Sequence, residues 1–533
     1  MSKKIFGSIG LMMLVAFSKA QNLNNFIKGH FNGSFESYNQ YYMKDTSIGA
    51  ILPPDRFGSN NFLKLDYNYG DFTAGVQFEA FLPPVLGFFP TQVQSQSKIV
   101  NKYFKYKKEN FTIQVGDFYE QFGSGLTLRA FENRQIGINN AIEGVNVHVK
   151  PAEYLQIKAV YGRTRRLFEY SKSLVRGGDA EIDLTKLLKS KSTDLTVSIG
   201  GSAVNKYQEY TGPEQEFPDK TNAYSTRIDF QYKDFNLDGE LVYMSPNPQL
   251  LNNDSKDIGR AFLLNTGYAS GNFGMNATFR SLYNLNFGND RNEEFPSLAP
   301  INFIPALTKQ HDYLTSNIYV YAAQFRGESG GQIDLFYNFP AGSSLGGKYG
   351  TKISANYSQY GSLDSTKNIF SIGKKQYFTD ANFEIKKKWS KKFESTFGFQ
   401  YLMYNATVIQ SAGSPIVYGN VVALGGLYKW APKKSVRFKF EHLQTGNDNK
   451  SWVSGLAEFS FSSPFMFFVT DLYNYGKTNI HYYNMGASYT KNSTRFSLAY
   501  GKQRPGLFCA GGVCRFVPAS HGLTATLTTS FAN

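Results

Sequence analysis

Leu523-Thr524-Ala525-Thr526-Leu527-Thr528-Thr529-Ser530-Phe531 is the stretch on which the fold turns. Leu523, Ala525, Leu527, Thr529 and Phe531 fall on one side of an extended chain and Thr524, Thr526, Thr528 and Ser530 on the other. That period of two is the pattern of a strand with one oily and one wet face. Any half-buried edge strand shows it, so its weight comes from the agreement of the rest of the chain.

The first twenty residues read as an export signal. Lys3 and Lys4 give a positive start, Ile5 to Phe17 an apolar run, and Ser18-Lys19-Ala20 a small-x-small cleavage site that leaves Gln21 as the mature start. The alternative is an uncleaved amphipathic start. The run is too short for an ordinary spanning helix, and no Cys follows the site to carry a lipid. Apolar residues make up 41% of the chain and mean hydropathy is −0.35, so spanning helices are not expected. Yet the chain holds 36 Tyr, 47 Phe and 49 Gly. Aromatic girdles and an outward apolar band interleaved with polar inward residues, as in a membrane barrel, account for that mixture.

In chain order, Ile27 to Tyr41 reads as the first strand, which leaves no room for an N-terminal plug domain. Leu63, Leu65, Tyr67 and Tyr69 alternate with Lys64, Asp66 and Asn68; Gly70-Asp71 turns the chain; Phe72, Ala74, Val76, Phe78 and Ala80 alternate with Thr73, Gly75, Gln77 and Glu79. This is a hairpin with a two-residue turn. Similar units surround Lys233-Asp234, Phe273 to Arg280, Phe393 to Tyr401, Val436 to Glu441 and Arg495 to Tyr500. Short connectors (70–71, 108–110, 233–234, 388–391, 431–434, 490–493) alternate with long ones (43–60, 82–97, 118–141, 204–222, 285–330, 505–520), the asymmetry of outer-membrane barrels with short periplasmic turns and long external loops. The pattern predicts one all-β domain over 21–533, a large antiparallel transmembrane β-barrel of about 24 strands, within roughly 22 to 26, with both termini in the periplasm. Ile318, Val320 and Ala322 read as a strand or as extended loop. A propeller would repeat a motif along the chain, and none repeats.

Net charge is +15, and +12 without Lys3, Lys4 and Lys19. Many bases sit in the short turns, where they are solvated or meet anionic headgroups. They form no clustered motif with stacking aromatics, so nucleic acid is not an expected partner. Cys509 and Cys514 are the only cysteines; in an exported chain they predict a disulfide across a Gly-containing loop tip, and two cysteines without a nearby His do not complete a zinc site.

The alternation fails between Gly116 and Gly144. Charges are dense there, with Asp117, Tyr119, Glu120, Arg129, Glu132 and Arg134 as candidates for a loop folded into the lumen, where opposed charges pair and narrow or close a pore. The other reading is an external loop with Gly turns. Ser124 lies in Gly-Ser-Gly without the spacing or the strand-to-helix setting of a hydrolase nucleophile. The six His are scattered without metal spacing. No enzyme, metal or cofactor is expected.

The terminal strand resembles that of bacterial outer-membrane barrels, whose final aromatic is recognised by the insertion machinery; Leu523, Leu527 and Phe531 are the matching positions, although Ala532 and Asn533 follow. The Gly116 to Arg134 segment, Arg176-Gly177-Gly178-Asp179 and the Cys509 to Pro518 block together resemble an uncharacterised family of outer-membrane barrels from Bacteroidota. The resemblance implies fold and outer-membrane location and carries no catalytic residue. It implies contact with outer-membrane lipid and lipopolysaccharide, the barrel assembly machinery during insertion, and other outer-membrane proteins or surface lipoproteins. Two functions stay open. One is a channel for passive solute passage, open or loop-plugged, lined by Lys64, Glu79, Arg227, Asp229, Glu240, Arg280, Arg437 and Glu441; a barrel this wide encloses more than side chains fill. The other is a non-conducting subunit of an outer-membrane complex for protein insertion, secretion or glycan uptake.

Overall fold

A chain that alternates oily and wet residues and turns sharply after each run pairs every strand with the next, and the sheet curls until its edges meet. In the computed structural model, which describes residues 29–88, 95–190, 192–210, 217–295, 300–364, 368–411, 416–510 and 513–533, this closure is complete. The main sheet has 25 strands, one of them the two-residue strand Glu169–Tyr170 folded back on Arg165–Arg166, which leaves 24 in an antiparallel wall. The seam joins His30–Tyr42 to Ser520–Ala532, in register from Asn32 opposite Ala532 to Tyr42 opposite Gly522. The signal-like residues 1–20 lie outside the described residues, as do Ile27 and Lys28 at the start of the expected first strand.

One end of the barrel carries tight turns. Tyr69 pairs with Phe72, Tyr232 with Phe235 and Ser270 with Phe273, so two residues close each hairpin. Gly70, Lys233 and Gly271 take positive φ (55°, 52° and 56°), as turns that match the strands' twist require. The six long connectors read from the sequence all lie at the other end, while the links after Asp183 and Phe339 at this end are longer than its tight turns.

The wall's two faces follow the alternation. In Leu155–Arg166, Tyr161 is 54% exposed and its neighbour Val160 4%. The outward set includes Phe72, Val76, Phe104, Leu241, Phe438, Phe440 and Leu498, an apolar belt of the kind a bilayer covers. Inward residues are not uniform along the strand. In Lys220–Tyr232, Thr221, Ala223 and Ser225 are buried, Arg227 and Asp229 half-buried and Gln231 exposed. Lys434–Thr445 repeats the gradient, from half-buried Arg437 and Lys439 to buried Glu441, Leu443 and Thr445. The lumen is therefore filled at the long-loop end and hollow toward the short turns.

The region around Ile318 is not a strand. Ser316–Ile318 form a 3-10 turn and the ladder resumes only at Gly327–Phe339. Ile318, Tyr319 and Tyr321 are drawn into an apolar cluster with Tyr360, Phe378, Leu402 and Tyr404, so the extended chain there packs by its side chains.

Candidate functional site

The filling comes from two long connectors that fold inward, and they are fastened differently. Between the strands Phe111–Phe118 and Ile142–Ala152 the chain makes two minute ladders, Gln121–Phe122 with Leu128–Arg129 and Glu132–Asn133 with Ile138–Asn139. Phe122, Leu126 and Leu128 bury against Val160, Val175, Val204, Ala223 and Val242 of the wall. The second connector, between Phe273–Tyr283 and Gly327–Phe339, joins the same cluster through Leu285, Phe287 and Ile301. The two are stitched together by Arg129 N to Ile301 O at 2.8 Å and Phe303 N to Gly125 O at 2.9 Å. Burying three large apolar side chains from a wet lumen is worth roughly 5–9 kcal/mol before ordering entropy. The first connector thus sits on an oily seat.

Its charges find partners as well. Glu120 accepts from Lys158 Nζ at 3.2 Å and Asn146 Nδ2 at 3.0 Å and bonds His148 Nε2. Arg134 reaches Glu36 at 2.8 Å and Glu132 at 3.0 Å, and Glu132 accepts from Gln77 at 2.7 Å. Arg129 lies over the Phe303 ring at 3.9 Å and the Phe131 ring at 5.1 Å. Tyr119 donates to Asn139 at 3.1 Å and accepts from Asn101 at 2.8 Å. Asp117 lies at the end of the preceding strand, outside the connector, where it accepts from Lys102 N at 2.8 Å and Tyr170 OH at 2.7 Å. Gly123, at φ +51°, lets the backbone approach the wall: a Cβ there would stand 2.9 Å from Glu240, whose carboxylate accepts from Ser124 N at 3.0 Å.

The stretch 309–316 of the second connector spans between apolar anchors and is held by polar contacts. Lys309 donates to Asn382 at 2.7 Å, His311 bonds Asp380 at 2.7 Å, and Tyr313 donates to Glu384 at 2.6 Å. Asp312, 65% exposed, meets Arg437 at 2.8 Å and Lys439 at 2.5 Å. Thr315 gives both N–H (2.9 Å) and hydroxyl (3.0 Å) to Glu441, which also accepts from Ser454 at 2.8 Å. Gly398 makes room, since a Cβ there would lie 2.8 Å from the Tyr313 hydroxyl. Exposed ion pairs contribute about 0–1 kcal/mol each and are screened by salt.

All eight wall positions singled out in the sequence point inward. Glu79 pairs with Arg165 at 2.6 Å, both nearly inaccessible; Arg227 with Asp179 at 2.6 Å and Glu181 at 3.1 Å; Arg280 with Glu328 at 2.6 Å; Arg437 also with Glu458 at 3.1 Å. Lys64 lies 3.5 Å from Asp66, and Asp229 stands opposite Asp238. Leu523, Leu527 and Phe531 face outward in the seam, opposite Tyr41, Ser37 and Gly33. Cys509 faces Cys514 across the hairpin Gly506–Ala510 and Val513–Val517. No group of three His, Cys, Asp or Glu among the described residues could hold a metal. Sequence reasoning missed His311, Asp312, Tyr313, Asp380 and Glu384; the signal was the polar run Thr308-Lys309-Gln310-His311-Asp312 within the longest connector.

A profile described as "Family of unknown function (DUF6029)" matches residues 1–531. No curated protein matches. Among solved structures, the translocation pore of the P pilus usher PapC aligns over 94% of this chain and 99% of its own at 8% identity and a TM-score of 0.45. A doubly substituted form of OccD1 (OprD) aligns over 95% and 96% at 10% identity and a TM-score of 0.37. The outer membrane protein opdK from Pseudomonas aeruginosa aligns over 95% and 99% at 8% identity and a TM-score of 0.37.

Proposed function

This chain belongs to the family of unknown function DUF6029, and from that premise we propose that it is an outer-membrane barrel whose lumen is a gated passage for small polar solutes, closed in the present conformation by its own loops. The short turns face the periplasm and the long connectors the exterior. The observation that carries this reading is the contrast between the two inward connectors. The oily seat around Phe122 and Leu128 holds one as a fixed plug, while 309–316 is a polar bridge held by hydrogen bonds to Asp380 and Glu384 and by exposed Asp312, whose pairs with Arg437 and Lys439 salt screens. The hollow beneath it leads to the short-turn mouth. A second reading, a barrel closed for good that serves as an accessory subunit of a membrane complex, draws support from that same oily seat.

Planar-bilayer recording tests the choice. The native barrel is expected to open rarely. Asp312→Ala with Lys439→Gln should raise open probability several-fold, and so should raising salt from about 0.1 M to about 1 M, which shortens the screening length from about 10 Å to about 3 Å. Silence under all these conditions, with stoichiometric partners isolated from native membranes, would establish the accessory-subunit reading instead.

A further inference from the structure

The outward wall carries a groove that the lumen does not explain. It has a volume of about 490 Å³ and is floored by Ser329, Gly331, Gln359 and Gly361 on the adjacent strands Gly327–Phe339 and Thr351–Leu363. Phe279 and Tyr357 bound it toward the short turns, and Ile372 to Gln376 overhang it from the long-loop side. The overhang exists because Ile369 and Phe370 lie on the outside of the barrel. Ser281 Oγ donates to the Ile369 carbonyl, and Phe370 packs edge-on against outward Phe262 at 5.1 Å. Phe370 and Ile372 stay 55% and 66% exposed, as side chains dipping into hydrocarbon do.

Two features say what fits. The groove is high on the wall: Ser329 stands roughly 20 Å above Tyr337 of the same strand, near the top of an apolar band about 25 Å tall, where acyl chains give way to headgroups. Just above, Lys374 and Lys375 are exposed, and neither ammonium has an ion-pair partner among the described residues. A cation pair over a glycine-floored slot in the apolar wall matches, in order, a phosphate and a hydrocarbon chain.

We propose that this groove holds one phosphorylated lipid of the outer leaflet, its phosphate on Lys374 and Lys375 and its chain along Gly331 and Gly361. The inference rests on the membrane placement proposed above and not on conduction, so a silent barrel that captures lipid leaves it standing. Hydrocarbon gains nothing by moving from bilayer to groove beyond packing, so selectivity comes from the headgroup.

Native mass spectrometry of the full-length protein in mild detergent, titrated with diphosphorylated lipid A or with phosphatidylcholine of matched chain length, tests it. One tightly held lipid A is expected, bound at least tenfold more tightly than phosphatidylcholine. Lys374→Gln with Lys375→Gln should weaken it roughly thirty-fold, and Lys391→Gln with Lys392→Gln at a short turn not at all. Equal affinity for the two lipids, or equal losses in the two lysine pairs, overturns the proposal; the folded state of each variant is read from its heat-modifiable migration.

Discussion

Arg280 and Glu328 carry the most concentrated interaction in the barrel. Both side chains are nearly inaccessible (1% and 0%), joined at 2.6 Å and 3.2 Å, with Tyr321 OH and Gln324 N donating to the other carboxylate oxygen at 2.6 Å each. Arg280 also donates to Pro305 O at 2.7 Å, so the pair ties both ends of the polar bridge to the wall. Removing one partner leaves a buried charge alone, a loss of about 3–5 kcal/mol. Glu328→Ala should therefore expose 305–326 to protease while the wall stays resistant, and Arg280→Met with Glu328→Leu should restore much of the protection; limited proteolysis with peptide mapping reads both. Arg280 was legible from the sequence because the period of two assigns it a face. Its partner was not, because Glu328 read as the tail of a long connector and only the fold brings it across the ladder.

Among the loops, the one that follows the first strand shows how charge ties an element down. Asp45 caps the short 3-10 turn Thr46–Ile48 and reaches Lys502 Nζ at 2.7 Å. Burial pushes its carboxyl up, but the Lys502 ammonium and the Ser47 hydroxyl outweigh that and hold it near 2, below its ordinary 3.8. A carboxyl depressed in the folded state stabilises above its unfolded value and loses that contribution as pH falls through the folded one. Protection of 43–50 should thus decline between about pH 4 and pH 2, and Asp45→Asn should abolish the decline; hydrogen exchange followed across that range checks it. At this scale the sequence told where connectors lie and which are long, because turn chemistry is local. It left open whether 116–144 folds inward, since the oily seat is assembled from one or two residues of each of nine strands, each unremarkable in its own run.

Closure belongs to the whole molecule. The edges of His30–Tyr42 and Ser520–Ala532 satisfy each other, and Phe31 N–H adds a bond to Asn533 Oδ1 at 2.6 Å. Deleting 520–533 leaves two long unpaired edges, each a template for association. Such a truncation is expected to lose heat-modifiable migration and protease resistance throughout rather than locally, and gel mobility with and without boiling measures it. Strand number and closure were legible because alternation and turn length alone fix them; what occupies the interior was not. The seam also sets an order of events. Asn39, among the earliest wall residues to be synthesised, reaches Ala525, 486 positions later, only when nearly everything else exists. Until then one flank of the growing wall is bare, and its unpaired backbone groups stay a template for association until the last strand arrives.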